Sequence, residues 1–135
     1  MNIVVMDGQG GGIGSAIIKR IRESLNEGVE IISLGTNSIA TSRMMKAGSN
    51  KGASGQNAIV QTCATADIII GPLAIIMPHA MLGEITPEMS TAVCSSRARK
   101  ILIPLTQENV GIVGVTGEPL PHLVDKAVRM IKEKI

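Results

Sequence analysis

The chain contains no Phe, no Tyr and no Trp. Its core must therefore be aliphatic, built from Ile, Val, Leu, Ala and eight Met. Aromatic side chains bury the largest areas, so packing here rests on many smaller contributions. Proteins that hold single-stranded nucleic acid stack bases on aromatic rings, and this chain lacks them. Charge is also sparse, with a formal net value of only +2. Lys19, Arg20 and Arg22 form one small basic group, and Arg97, Arg99 and Lys100 another. A nucleic-acid footprint is a denser basic face, so these groups read as solvated helix and loop. No nucleic-acid partner is expected. Cys63 and Cys94 are the only cysteines, with no Cys-x-x-Cys and no His at ligand spacing. That excludes the common zinc patterns, and no metal site is expected. Both cysteines read as small buried hydrophobes in helices, which suits a reducing cytoplasm. The longest apolar runs fall far short of a membrane span. No signal peptide precedes the first strand, so a cytoplasmic protein without a membrane partner is expected.

Against these absences stand 135 residues, 44% of them hydrophobic, and 15 glycines. The length suits one domain, residues 1–135. The most informative stretch is NIVVMDGQGGGIG at residues 2–14. Ile3, Val4 and Val5 suit a strand buried on both faces. Asp7 and Gly8 end it. Further glycines follow at Gly10, Gly11, Gly12 and Gly14, ahead of the helical pattern SAIIKRIRESL. A strand, a glycine turn and a helix start make an anion site. The turn lets a ligand approach the backbone, and the helix offers free N–H groups and its positive dipole end. The matching ligand is a phosphate or pyrophosphate. The competing reading is a turn that only lets helix and sheet pack closely.

The usual dinucleotide spacing, G-x-G-x-x-G, fails here, because the sixth position is Ile13 or Ser15. G-x-x-x-G-x-G fits through Gly8, Gly12 and Gly14. This resembles the turn of the short-chain dehydrogenases, which implies a site for the pyrophosphate of NAD or NADP. Catalysis in that family uses a Tyr-x-x-x-Lys pair, and this chain has no Tyr. The resemblance brings the phosphate turn without the hydride-transfer machinery. A second resemblance spans nearly the whole chain. The DGQGGGIG opening, LGTNSIATS, MLGEITPEM and the ILIPL and IVGV pair resemble a family of short Rossmann-like prokaryotic proteins of unknown function. It implies the fold and a nucleotide, and no particular activity.

Periodicity predicts strands at about 2–7, 29–34, 67–71, 100–105 and 111–115. Helices are predicted at about 12–27, 38–47, 55–65, 86–95 and 119–134, with Gly28 as C-cap of the first. Residues 47–57 read as a polar, glycine-rich loop. Pro72, Pro78 and Pro87 leave only a short or kinked helix at 73–83. Thr86 followed by Pro87 is a helix start. Five residues separate the last two strands, too few for a parallel crossover, so they should form a hairpin. The expected fold is a single Rossmann-like three-layer α/β domain. It has a parallel β-sheet core and a C-terminal antiparallel hairpin. Right-handed crossovers favour order 3-2-1 or 2-1-3 for its first three strands.

Ligands of such sheets lie beyond the carboxyl ends of the strands. Three loops should meet there. The first carries Asp7, Gly8, Gln9, Gly10, Gly11, Gly12, Ile13 and Gly14. The second carries Thr36, Asn37 and Ser38, followed by Arg43. The third carries Gly71 and Pro72. An NAD site usually has an acid at the end of the second strand, and none stands there. Thr36, Asn37, Ser38 and Arg43 would suit a 2′-phosphate, which favours NADP over NAD. Alternatively Asn37 or Ser38 caps the next helix. Asp7 either holds a metal beside the phosphate or ties down the glycine turn. His79 and Glu84, five residues apart, are conceivable as a catalytic acid–base pair or as surface groups. His122 reads as a surface or capping residue.

The reading with most support is a protein that binds a dinucleotide, NADP-like, or another phosphorylated ligand at the glycine turn. The alternative is a structural or regulatory subunit with an empty turn. So aliphatic a short chain favours a homo-oligomer in either case.

Overall fold

The computed structural model describes residues 1–25, 28–105 and 108–135. Five strands form one sheet: β1 (Asn2–Asp7), β2 (Glu30–Gly35), β3 (Lys51–Ser54), β4 (Ile68–Pro72) and β5 (Arg99–Ile103). Their order is β3-β2-β1-β4-β5, and every pairing is parallel. The helices are α1 (Gly12–Ser24), α2 (Ser38–Ala47), α3 (Gln56–Cys63), α4 (Pro87–Ser95) and α5 (Leu120–Lys132). A 3₁₀ turn, Leu73–Ile76, follows β4 directly.

Strand β1 is buried on both faces, as its β-branched run requires. Ile3 and Val5 point to one face, where they join α1, α2 and α5 through Ile17, Met44 and Val128. Val4 and Met6 point to the other face, toward α3 and α4 through Ile59 and Val93. The result is the three-layer α/β architecture expected. Among the three strands recognised in that parallel core, the order is the second of the two alternatives, with β1 between β2 and β4.

Two expectations are corrected. No antiparallel hairpin is seen among the described residues. β5 pairs with β4 in parallel, Ile70 opposite Ile101. Residues 111–115 form no strand, and Val113 is fully exposed. Gly114 takes φ +90° there, which interrupts an extended run. The β5 segment wins because its alternate residues Ile101 and Ile103 are buried under α5. The chain between β5 and α5 is instead an exposed connection. Thr106 and Gln107, in the expected hairpin loop, lie outside the described residues, as do Asn26 and Glu27 at the expected end of α1.

The second correction is β3, which lies where a polar loop was expected. Its register sets Ile32 opposite Lys51 and Gly35 opposite Ser54. Thr41 of α2 holds it, with its hydroxyl 2.7 Å from Ser54 Oγ and 3.3 Å from the Ala53 carbonyl. A Cβ on Gly52 would stand 2.7 Å from Met45 Sδ, so the strand backbone presses on the helix. A short, polar edge strand of this kind resists unwanted pairing. A smaller correction concerns Cys94, which is exposed on α4, whereas Cys63 is buried. Burial pushes the Cys63 thiol up to about 11, so it is unreactive at neutral pH.

Candidate functional site

The strand order reverses direction between β1 and β4, whose following loops part to opposite faces. Such a switch point leaves a crevice at the carboxyl ends of the strands. Here it holds a cleft of about 530 Å³. Asp7 to Ile13 form one wall, and Pro72 and Ala74 the floor. Met81 and Leu82 close a third side, with Leu105 and Glu108 opposite.

The glycine turn is clamped by Asp7. Asp7 Oδ1 accepts the Gly8 N–H at 2.8 Å, and Oδ2 accepts the Gly14 N–H at 2.7 Å. Of its two sequence roles, the geometry assigns the tie. Among the described residues no group of three or more His, Cys, Asp or Glu is placed to hold a metal. Burial pushes the Asp7 carboxyl above its ordinary value. The amides of Gly14, Gly8 and Ile13 pull it down, and the charge of Glu84 adds to the rise. Asp7→Ala should cost about 2–4 kcal/mol, because two buried amides lose a charged acceptor. The sign with pH follows from the raised value. A folded protein that holds the proton more tightly gains stability as pH falls through that carboxyl's titration. Urea unfolding should therefore show the gap between parent and Asp7→Ala widening on acidification from neutral pH. A shrinking gap would contradict the raised value.

The seven-residue turn divides into two kinds of glycine. Gly11 takes φ +71°, and a Cβ there would stand 2.9 Å from the Ala40 carbonyl oxygen. It is needed so that α1 can start close against α2. A Cβ on Gly14 would stand 2.5 Å from Met44 Sδ and 3.0 Å from Asp7 Cβ. Gly8 is hemmed by Met81, Thr36 and Glu84. Gly10 and Gly12 differ. Neither has positive φ, and a Cβ would meet only Arg43 Nη1, at 3.8 and 3.6 Å. Their N–H groups take no partner among the described residues, and both line the cleft. Arg43 also donates to the Gly10 carbonyl at 3.3 Å, so its guanidinium hangs over the turn.

The second loop is engaged elsewhere. Asn37 caps α2, its Oδ1 accepting the Ala40 N–H at 2.8 Å. One oxygen of Glu84 then takes three donors: Gln9 N–H at 2.8 Å, Thr36 Oγ1 at 2.5 Å and Asn37 Nδ2 at 2.9 Å. Burial pushes the Glu84 carboxyl up. The bonds from Thr36, the Gln9 amide and Asn37 more than reverse this, and the carboxyl titrates below its ordinary value. Glu84 thus supplies the acid that the end of β2 lacks, from a segment 48 residues away in sequence.

That segment, residues 77–85, folds back from β4 across the loops of β1 and β2. It is wound tightly, with His79, Met81 and Leu82 at φ 70°, 58° and 56°. Its own backbone bonds hold it, including His79 N–H to the Ile85 carbonyl at 2.6 Å. Glu108 ties it to the β5–α5 connection by accepting the Met81 N–H at 2.7 Å.

The structure therefore gathers Asp7 to Ile13 and Pro72 around one cleft. Arg43 does not line it and reaches the turn from α2, at the Gly10 carbonyl. Thr36 and Asn37 lie behind its rim, bound to Glu84. Ser38 is exposed on α2, and Gly71 is packed inside the sheet against β1. His79 is exposed, and no hydrogen bond joins it to Glu84 among the described residues. His122 is exposed in the first turn of α5. Sequence reasoning missed the walls formed by Ala74, Met81, Leu82, Leu105 and Glu108. The prolines at 72, 78 and 87 marked the limits of the folded-back segment, but no pattern showed where it would dock.

The chain belongs to the family described as Domain of unknown function (DUF3842), whose model matches residues 2–135. No curated protein matches it. Among solved structures it is similar to the dodecameric FMN-dependent UbiX-like decarboxylase of Escherichia coli O157:H7. The two share 15% identity at a TM-score of 0.50, over 98% of this chain and 76% of that one. At this identity the likeness shows a shared α/β fold. No helix among the described residues is long and apolar enough to cross a membrane.

Proposed function

We propose that the protein binds a phosphorylated, nucleotide-type ligand at the β1–β4 crevice. The observation that carries this is the pair Gly10 and Gly12. These are glycines that neither conformation nor packing requires; they line the cleft at a helix start, and their N–H groups have no partner among the described residues. A phosphate there would accept those amides, face the positive end of α1 and lie beneath Arg43. The body of the ligand would rest on Pro72, Ala74, Met81, Leu82 and Leu105. A cleft of about 530 Å³ suits one nucleotide-sized molecule. FMN is the first ligand to try, since the structural neighbour is FMN-dependent. NADP and NAD remain the dinucleotides to compare.

A second property has its own observation. Val110, Ile112, Val113 and Val115 all stand exposed along the β5–α5 connection. A row of exposed aliphatic side chains favours association with further copies. The dodecameric state of the neighbour accords with this.

The reading predicts that FMN raises the unfolding midpoint and gives a saturable calorimetric titration. A ligand at a hundred times its Kd adds about 2.7 kcal/mol of stability. No stabilisation by FMN, NADP, NAD or a simple phosphate monoester would leave the turn empty and favour the purely structural alternative.

A further inference from the structure

The geometry points to Glu84 as the residue that restricts this cleft to a mononucleotide. This rests on the phosphate reading above, and it names the ligand class. A dinucleotide on a doubly wound sheet straddles the crevice, and its second ribose meets the end of β2. In this chain that half of the crest is already filled. Glu84 takes the Thr36 hydroxyl, the Asn37 amide and the Gln9 N–H with one oxygen. These groups border the glycine turn on that side, the Asn37 amide also donating to the Gln9 carbonyl at 3.0 Å. The same contact draws residues 77–85 over the β1 and β2 loops, so that Met81 lies against Gly8. A second nucleotide would have to displace both the carboxylate and the segment it anchors. A 2′-phosphate on it would also meet a like charge.

The other half stays open. Gly10, Gly12 and Arg43 offer one phosphate site, and the apolar floor lies beside it. Glu84 itself does not line the cleft. It therefore acts as a latch, closing one subsite without touching the other. Two features give the latch its character. Its carboxylate stays charged through the neutral range, because the three donors favour ionisation. Its segment holds three non-glycine residues with left-handed backbone, a costly conformation that the latch helps to fix.

FMN and FAD make a direct test, because they share one half and differ by the adenylate. Calorimetry on the parent should show FMN bound at least tenfold tighter than FAD. In Glu84→Ala the FAD-to-FMN affinity ratio should rise at least tenfold. Thr36→Val, a near-isosteric loss of one donor, should raise it less, and it serves if Glu84→Ala does not fold. Amide exchange on the ligand-free protein gives a second readout. The Gln9 amide has Glu84 as its partner, so its exchange should quicken at least tenfold in Glu84→Ala, with β1 amides unchanged. Parent protein that binds FAD as tightly as FMN would overturn the latch. So would variants that leave both the ratio and Gln9 exchange unaltered. If the parent binds neither flavin, the phosphate reading is decided by NADP, NAD and the phosphate monoester. The latch then stands only if the variants gain FAD binding and lose Gln9 protection, and it falls otherwise.

Discussion

Gly12→Val should abolish nucleotide binding while leaving the fold intact. The two effects separate because of what surrounds this position. An added Cβ would meet only the tip of Arg43, a flexible and exposed side chain, at 3.6 Å. The backbone needs no left-handed conformation there. Replacing glycine at the first helical position should therefore shift stability by less than about 1 kcal/mol. The ligand is affected differently. A branched side chain would stand where phosphate must approach the Gly12 N–H, and it would push the Arg43 cation outward. Loss of affinity should be at least about a hundredfold, or about 2.7 kcal/mol. Neighbouring positions cannot make this distinction. Valine at Gly11 would collide with the Ala40 backbone, and valine at Gly14 with Met44 and Asp7. The measurement is calorimetric titration alongside thermal unfolding of both proteins. Retention of FMN affinity within threefold, with the fold preserved, would remove the phosphate from the turn.

The parts of this protein that were legible in the sequence are those where burial and local pattern agree. The run Ile3 to Met6 is apolar without alternation, and it lies in the centre of the sheet with both faces covered. Thr86 followed by Pro87 started α4 as its chemistry suggests, with Thr86 Oγ1 accepting the Met89 N–H at 3.2 Å. Strand β3 was not legible, because Lys51, Gly52, Ala53 and Ser54 carry no hydrophobic signal. Its position comes from the β2 ladder and from Thr41, which are tertiary effects. The opposite failure occurred at residues 111–115. Their aliphatic composition imitates a strand, yet they do not pair with the outer edge of β5, and they stay exposed. Short apolar runs are ambiguous for this reason.

The site divides along the same line. The glycine turn and Arg43 were legible, since an anion site has local requirements that glycine, helix and cation satisfy together. The missing acid at β2 was noticed as an absence. Its replacement by Glu84 was hidden, because the segment that delivers it has no periodicity and docks through tertiary contacts: Ala80 and Ile85 in the core, Met81 to Glu108, and Glu84 itself. That replacement also changes the argument about ligands. Thr36 and Asn37 were assigned to a 2′-phosphate on the assumption that they were free, and Glu84 holds both.

Gly71→Ala should show the reverse of Gly12→Val, a large loss of stability with no specific loss of binding. Gly71 lies in β4, opposite Leu102 of β5. Sequence position alone placed it with the ligand loops. In the structure a Cβ on Gly71 would overlap the Met6 carbonyl oxygen and crowd Ile75 Cδ1 at 3.2 Å. The first of these neighbours is backbone in β1, fixed by parallel pairing with β2 on its other side. A flexible side chain would swing away, but this carbonyl can move only if the central strands part. Overpacking typically costs 1–3 kcal/mol, and a clash with a sheet backbone belongs at the top of that range, about 3 kcal/mol or more. The lower entropy of unfolded alanine returns less than about 1 kcal/mol. Urea unfolding would measure the loss, and amide exchange in β1 and β4 would show whether their ladder has opened. Binding of FMN per folded molecule should stay near that of the parent, because Gly71 does not line the cleft. A loss below about 1 kcal/mol, with the β1 and β4 amides still protected, would show that the sheet yields at its centre.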